Sequence, residues 1–347
     1  MRRLWLSSVL LISGLAWAGD VVDMAGRTVA VPDRIERVAC LEVLCFQKML
    51  MLGAADKVTE MTMTNAPWMV TVYPAVASIA KIPVEVNFED LLAQRVDAVF
   101  YAYSAQKTGA KLASLGLAGL VSQPEAGNVA TAEGYIGEYK RAVRMFAKVL
   151  GGDAVARAEE WCVWVDRRLQ MVTSRVADIP SSRRTRVYYL RGPDALTTQG
   201  PGSATYWFST LAGADMVIRD QSWQGKGPVS MEDMLRWNPD VILVGRHYSA
   251  DLVLRDTRWA GISAVRSGRV YPTPEGVFYW DGGVESILLL EFVAKRLYPE
   301  RFTDLDLAAE LKDFYRRFYG YALSDSQAAL LLDGRAPNGS RSNSMNN

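Results

Sequence analysis

The sequence predicts an α/β protein of two Rossmann-like lobes, each on a mostly parallel sheet, bridged by a long α-helix. Three observations carry this expectation. The chain has 347 residues, half of them apolar, which is more than one core usually serves. A segment beginning at Val86 recurs at Val229. An extended helical stretch separates the two copies.

The chain opens with a leader pattern. Arg2 and Arg3 precede an apolar run from Leu4 to Leu15, and Ala16-Trp17-Ala18 supplies the small-x-small pattern a signal peptidase reads. The run falls short of the roughly 20 residues a membrane-spanning helix needs. No Cys follows the cleavage point, so no lipid anchor is expected. Residues 1–18 are read as a cleaved signal peptide, which places the mature chain in the periplasm. With 39 basic and 38 acidic groups overall, two of the basic ones in the leader, the mature chain is close to neutral. That balance gives no reason to expect nucleic acid or an anionic membrane as partner.

Residues 19–150 are read as the N-terminal lobe, 151–180 as the bridging helix and 181–333 as the C-terminal lobe. The repeat defines the lobes. Val86-Asn-Phe-Glu-Asp-Leu-Leu-Ala-Gln-Arg-Val-Asp-Ala-Val-Phe-Tyr101 aligns without gaps on Val229-Ser-Met-Glu-Asp-Met-Leu-Arg-Trp-Asn-Pro-Asp-Val-Ile-Leu-Val244. Each copy reads as an N-cap (Asn87, Ser230), a short amphipathic helix, and then an apolar run suited to a strand covered on both faces. A weaker echo precedes each copy, Leu52–Val58 and Leu211–Val217. Strand, helix, strand alternation implies βαβ units. From Thr131 to Leu150 the periodicity is helical and ends at Gly151-Gly152. A second helix is expected from about Asp153 to Asp178, with Val155, Ala158, Cys162, Val165, Leu169, Val172 and Val176 along one side. It would be about 39 Å long. Residues 334–347 are Gly/Ser/Asn-rich and are expected to form a disordered tail.

The chain holds three cysteines. Three buried thiols are expected; a Cys40–Cys45 bridge would require Cα atoms within about 7 Å across a strand-to-helix turn.

Several segments carry a resemblance. Val21–Pro32 with Arg34-Ile-Glu-Arg-Val38, Pro239–Val244, Gly268-Arg-Val-Tyr-Pro272 and Gly276–Glu285 leading into Ala294–Pro299 are similar to the helical-backbone (class III) periplasmic binding proteins. Those proteins serve importers of ferric siderophores, haem and cobalamin. The resemblance implies an ABC-importer binding component, monomeric, with no permanent cofactor, whose partners are a small-molecule metal chelate and an inner-membrane permease. An iron chelate (ferric siderophore or haem) is the expected cargo; cobalamin, a nickel or cobalt complex, or a ligand-sensing role on the same fold are the alternatives. It also implies a docking Glu on each lobe. Glu285 matches in the C-terminal lobe, whereas Gln47 stands at the N-terminal position, with Glu42 nearby as a substitute.

If the two copies are equivalent, the loops after their strands, Tyr101–Ser104 and Gly245–Tyr248, face one another across a cleft. Candidate ligand-binding residues are therefore Tyr101, Tyr103 and His247, joined by Trp68, Arg191, Trp207, Tyr279 and Trp280. His247 is the chain's one histidine. One imidazole cannot build a bare zinc or manganese cage, but it could fill an open position on a metal already held by a chelate. No Gly-x-Ser-x-Gly elbow, P-loop, Cys-x-x-Cys or His-Glu-x-x-His is present, which argues against an enzyme.

Overall fold

A computed structural model describes residues 17–82, 85–125, 129–223, 225–246 and 248–341. Most of the expected leader, and His247, lie outside the described residues. Strands β1 (Trp17–Val22) and β2 (Thr28–Pro32) form an antiparallel hairpin. Its turn is tied down by buried Asp23, whose Oδ1 accepts from the Ala25 and Arg27 amides and whose Oδ2 accepts from the Val121 amide.

The first sheet holds β3 (Val38–Cys40), β4 (Val58–Met61), β5 (Ala80–Lys81), β6 (Ala98–Tyr101) and β7 (Ala118–Val121). Its order is β5-β4-β3-β6-β7, and every pairing is parallel. The second sheet holds β8 (Arg186–Leu190), β9 (Thr197–Gln199), β10 (Asp215–Met216), β11 (Lys226–Pro228), β12 (Val241–Val244) and β13 (Val270–Pro272). Its order is β11-β9-β8-β12-β13, with β10 beside β8. β8 pairs parallel with β10 and β12, and β12 with β13, whereas β9 pairs antiparallel with both β8 and β11. The fold is thus α/β with two mostly parallel sheets.

The repeat is realised strand for strand. β6 sits between β3 and β7, and β12 sits between β8 and β13. All four residues of each are buried, because helices cover both faces of a parallel sheet. The helix before β6 (Phe88–Ala93) is capped by Asn87 Oδ1, which accepts from the Glu89 and Asp90 amides. The helix before β12 (Met231–Trp237) carries a full capping box between Ser230 and Asp233. Both copies leave the helix through a left-handed residue at the corresponding place, Arg95 (φ 53°) and Asn238 (φ 41°).

The helix Ala132–Leu150 runs into Gly151 and Gly152, both at positive φ, and the chain then enters the helix Asp153–Val176. These 24 residues span about 36 Å. Ala158, Cys162, Val165, Val172 and Val176 are buried as the stripe predicts, along with Trp161 and Trp164, while Val155 is exposed. The helix stitches the two halves: Arg157 donates to Met51 O and Phe318 O at 2.9 Å each, and Trp161 Nε1 donates to Val284 O. Beside it lies Ser286–Leu297, apolar on nearly every side and almost wholly buried.

Two expectations are corrected here. Residues 334–341, placed in a disordered tail by their composition, pack onto the fold: Ala336 is buried, and Trp68 Nε1 donates to Arg335 O at 2.9 Å. The partner that orders this segment lies 267 residues away, beyond the reach of composition. Cys40 and Cys45 form a disulfide, with Cα atoms 5.4 Å apart across the tight turn from β3 into the helix Cys45–Met51. Cys162 alone is a buried thiol, and burial pushes it up to about 11.

Candidate functional site

Between the lobes lies a cavity of about 310 Å³. The parallel strands that feed it do so from their C-terminal ends, the end at which open α/β sheets bind ligands, while Gly225 enters ahead of β11. Val43 and Leu44 follow β3, and Gln123, Pro124 and Glu125 follow β7. Arg191 follows β8, Arg246 follows β12, and Phe278, Asp281, Gly282 and Gly283 follow β13. Tyr135 and Tyr139 project from the helix Ala132–Leu150, one turn apart, with rings stacked at 6.3 Å. The helix Ala204–Leu211 begins at the wall: Ser203 caps it through Tyr206 N, and Gly202, Ser203 and Ala204 line the space.

The floor is an ion triad. Asp281, 3% exposed, accepts from the Nε of Arg191, 6% exposed, and from the Nε of Arg246 at 3.0 Å. Burial would raise the Asp281 carboxyl, yet attraction to Arg191 and Arg246 and their hydrogen bonds hold it below the ordinary carboxylate value. Burial opposes the Arg191 charge, and Asp281 more than restores it. The floor thus carries two guanidiniums against one carboxylate, and Glu125 adds a second carboxylate elsewhere in the lining. Arg246 holds its place through a left-handed backbone (φ 53°) and through stacking over Tyr279, 4.7 Å from guanidinium carbon to ring centre. A non-glycine residue in that region costs about 1–3 kcal/mol and persists where surrounding contacts enforce it. Tyr135 stays a neutral phenol, raised first by burial and then by the charge of Asp281. Gln123 Nε2 is buried with no hydrogen-bond partner among the described residues. Among the described residues no group of three or more His, Cys, Asp or Glu could hold a metal ion.

Two lobes of parallel sheet meeting at their C-terminal ends around a central helix agree with the comparisons. The family model for periplasmic binding proteins matches residues 38–276. The chain belongs to the periplasmic binding protein family. This binding protein is 27% identical over 336 residues to the molybdate-binding protein MolA of Haemophilus influenzae, covering 89% of this chain and 93% of MolA. The structure of MolA bound to molybdate superposes with a TM-score of 0.76 at 25% identity, covering 88% of this chain and 99% of that one. A periplasmic solute-binding protein from Veillonella parvula gives 0.78 at 24% identity, with 92% and 98% covered. Helicobacter pylori CeuE with Ni(II) bound gives 0.72 at 19% identity, with 90% and 99% covered. The last two likenesses concern fold alone. As a member of this family the protein is a solute-binding component of an ABC transporter, not an enzyme, and it carries a transported solute in place of a resident cofactor.

Of the residues singled out from the sequence of this periplasmic binding protein, Arg191 lines the cavity. The loop Gly245–Tyr248 also reaches it, through Arg246. Its counterpart Tyr101–Ser104 does not. Tyr101 is buried in the N-terminal lobe against Gly109 and Arg27, and Tyr103 lines a separate pocket with Met24, Glu125 and Arg141. Trp207 is half-buried with its ring edge-on to Tyr206, and Trp280 is core. Trp68 is fully buried beneath Arg335, and Tyr279 backs Arg246 from behind the wall.

Burial speaks against the docking role expected of Glu285 and Gln47. Glu285 is fully buried: its carboxylate accepts from Tyr315 OH at 2.6 Å and from the Phe278 amide at 2.9 Å, and burial pushes it up to about 7. A carboxylate used inside the protein is not presented to a permease. Gln47 is buried as well, with Oε1 accepting from the Val284 amide across the lobes; a Cβ at Gly283 would overlap it. Glu42 is half-buried and accepts from the Leu44 amide and Ser122 Oγ.

The sequence reading missed Arg246, Asp281, Tyr135, Gln123 and Ser203. Two signals were present. Arg246 aligns with Tyr103 in the repeat, and Gly200-Pro-Gly-Ser203 is a capping pattern ahead of an apolar helix.

Proposed function

We propose that this periplasmic binding protein captures a compact oxyanion of the molybdate class in the inter-lobe cavity and delivers it to an inner-membrane ABC permease. The observation that carries the reading is the Arg191–Asp281–Arg246 floor facing the helix that starts at Ala204. A helix N-terminus leaves its first N–H groups without intrahelical acceptors, and its dipole favours an anion. Guanidinium forks match the paired oxygens of an oxyanion. Gln123 and Tyr135 add neutral donors, so an anion entering the cavity finds hydrogen bonds from both lobes. The volume of about 310 Å³ sits at the small end of the roughly 300–1,000 Å³ typical of pockets for drug-sized ligands, which disfavours the iron chelate expected from the sequence. The likeness to MolA, whose structure holds molybdate, points the same way.

The deciding experiment is a calorimetric titration of the mature protein with molybdate, tungstate, sulfate and phosphate, alongside ferric siderophores, haem, cobalamin and nickel–histidine. Molybdate or tungstate is expected to bind most tightly. Binding of a ferric siderophore or haem with no response to any oxyanion would overturn the proposal. Export should remove residues 1–18, which N-terminal sequencing of the mature protein checks.

A further inference from the structure

A concavity larger than the solute cavity lies elsewhere on the molecule. A groove of about 1,250 Å³ lies on the C-terminal lobe, bordered by Arg183, Arg184, Arg186, Arg219, Arg266 and Arg269. Two carboxylates, Asp215 and Asp240, stand among these six arginines. Both are engaged: Asp215 with Arg219, and Asp240 with the Arg186 amide at 2.9 Å and its guanidinium at 3.7 Å. The other four have no carboxylate partner among the described residues. Arg184 and Arg269 are held by main-chain oxygens of Ile179, Arg296 and Leu297, and Arg266 reaches only Ser263 Oγ, at 3.4 Å. Arg183 and Arg266 are exposed. The chain as a whole is nearly neutral, so this is a local concentration of charge.

Its position separates it from solute capture. Arg183–Arg186 lead into β8, Asp240 immediately precedes β12 and Arg269 precedes β13, so the groove opens at the N-terminal ends of the strands whose C-terminal ends form the cavity. The five residues of β8 put about 16 Å between the two. A partner in the groove therefore leaves the cavity free.

We propose that this groove binds a phosphate-rich polyanion. It is too large for a single oxyanion, and a concave surface of one sign concentrates counter-charge. Ser181, Ser182 and Ser263 also line it, whereas the Ser267 hydroxyl is spent on Ser263 O at 2.8 Å. Guanidinium forks match the paired non-bridging oxygens of successive phosphate groups, which recur along the chain, better than isolated carboxylates.

The test uses the full mature chain and inorganic polyphosphate as probe, with orthophosphate and poly-glutamate as competitors, followed by anisotropy of a labelled polyphosphate at low and high salt. Polyphosphate is expected to bind at low salt and weaken as salt rises. The double variant Arg183→Ser, Arg266→Ser, at two exposed positions outside the core, should lose at least about tenfold in polyphosphate affinity, as expected for two charge-assisted contacts. Its melting temperature and its cavity titration should match the wild type. Absence of polyphosphate binding, equal binding by the double variant, or displacement by orthophosphate or poly-glutamate at equivalent charge would each overturn the proposal.

Discussion

The two lobes share a scaffold and divide the chemistry unequally. In each, a capped helix, a left-handed exit residue and a buried four-residue strand follow in the same order. Past the strand they diverge. The C-terminal lobe places Arg246 where the N-terminal lobe places Tyr103, and it adds Arg191 and Asp281. The N-terminal lobe offers the cavity mainly neutral groups, among them Val43, Leu44, Gln123 and Pro124, with Glu125 as its charged contribution. Duplication thus preserved what specifies a strand and released what decorates its end. The C-terminal lobe holds both arginines and Asp281, and the N-terminal lobe, Glu125 apart, completes the enclosure with donors and apolar surface.

The strongest way to break this comparison is to remove the acid that organises the charged lobe. Asp281→Ala leaves Arg191 buried against Arg246 with no counter-charge, and it should cost about 3–5 kcal/mol in urea unfolding. Gln123→Ala in the neutral lobe should cost under about 1 kcal/mol, because its Nε2 has no partner to lose.

A pH series probes the same contrast. In the N-terminal lobe, half-buried Glu42 faces buried Lys48, which falls to about 8 through burial against the pull of Glu42. In the C-terminal lobe, Glu285 accepts from neutral donors only and rises from 4.5 to about 7. Its folded value lies above its unfolded value, so the folded state holds the proton more tightly. Stability from this group is full below pH 4.5, is lost as pH rises through 7, and amounts to about 3 kcal/mol. The melting temperature should therefore climb as pH falls from 7.5 to 5, and Glu285→Gln should flatten that climb; an unchanged slope would remove Glu285 as its source.

Ligand affinity separates the lobes next. Arg246→Ala should weaken molybdate about 30-fold by calorimetry, whereas Tyr103→Phe at the corresponding place should change it less than about twofold. The smallest effect compares the caps. Ser230→Ala breaks a reciprocal box and should cost about 1 kcal/mol, and Asn87→Ala should cost somewhat less, because its two bonds run 3.1 and 3.4 Å without a return contact.

Much of the fold was legible because its signals are contiguous. The repeat placed β6 and β12, the caps at Asn87 and Ser230 started their helices, and the heptad-like stripe marked the helix Asp153–Val176. The site was only partly legible. Aromatic residues near strand ends (Trp68, Tyr101, Trp280) read as ligand contacts, yet the lobes needed them as core, and a local pattern cannot say which face of an element is buried. Arg191 was visible as a charged residue directly after an apolar strand.

The amino-acid order alone determined the α/β alternation, the duplication and the helix that joins the halves, since each depends on residues within a turn or two of one another. Tertiary structure decided everything that requires distant segments to meet. It brought Arg191, Arg246 and Asp281 into one ion triad and folded Glu285 inward onto Tyr315. It laid residues 334–341 over Trp68. The Cys40–Cys45 pairing, though only five residues apart, also waited on the turn between strand and helix. The physical reason is common to all four: charge compensation and burial depend on separation in space, which sequence spacing fixes only within a single element.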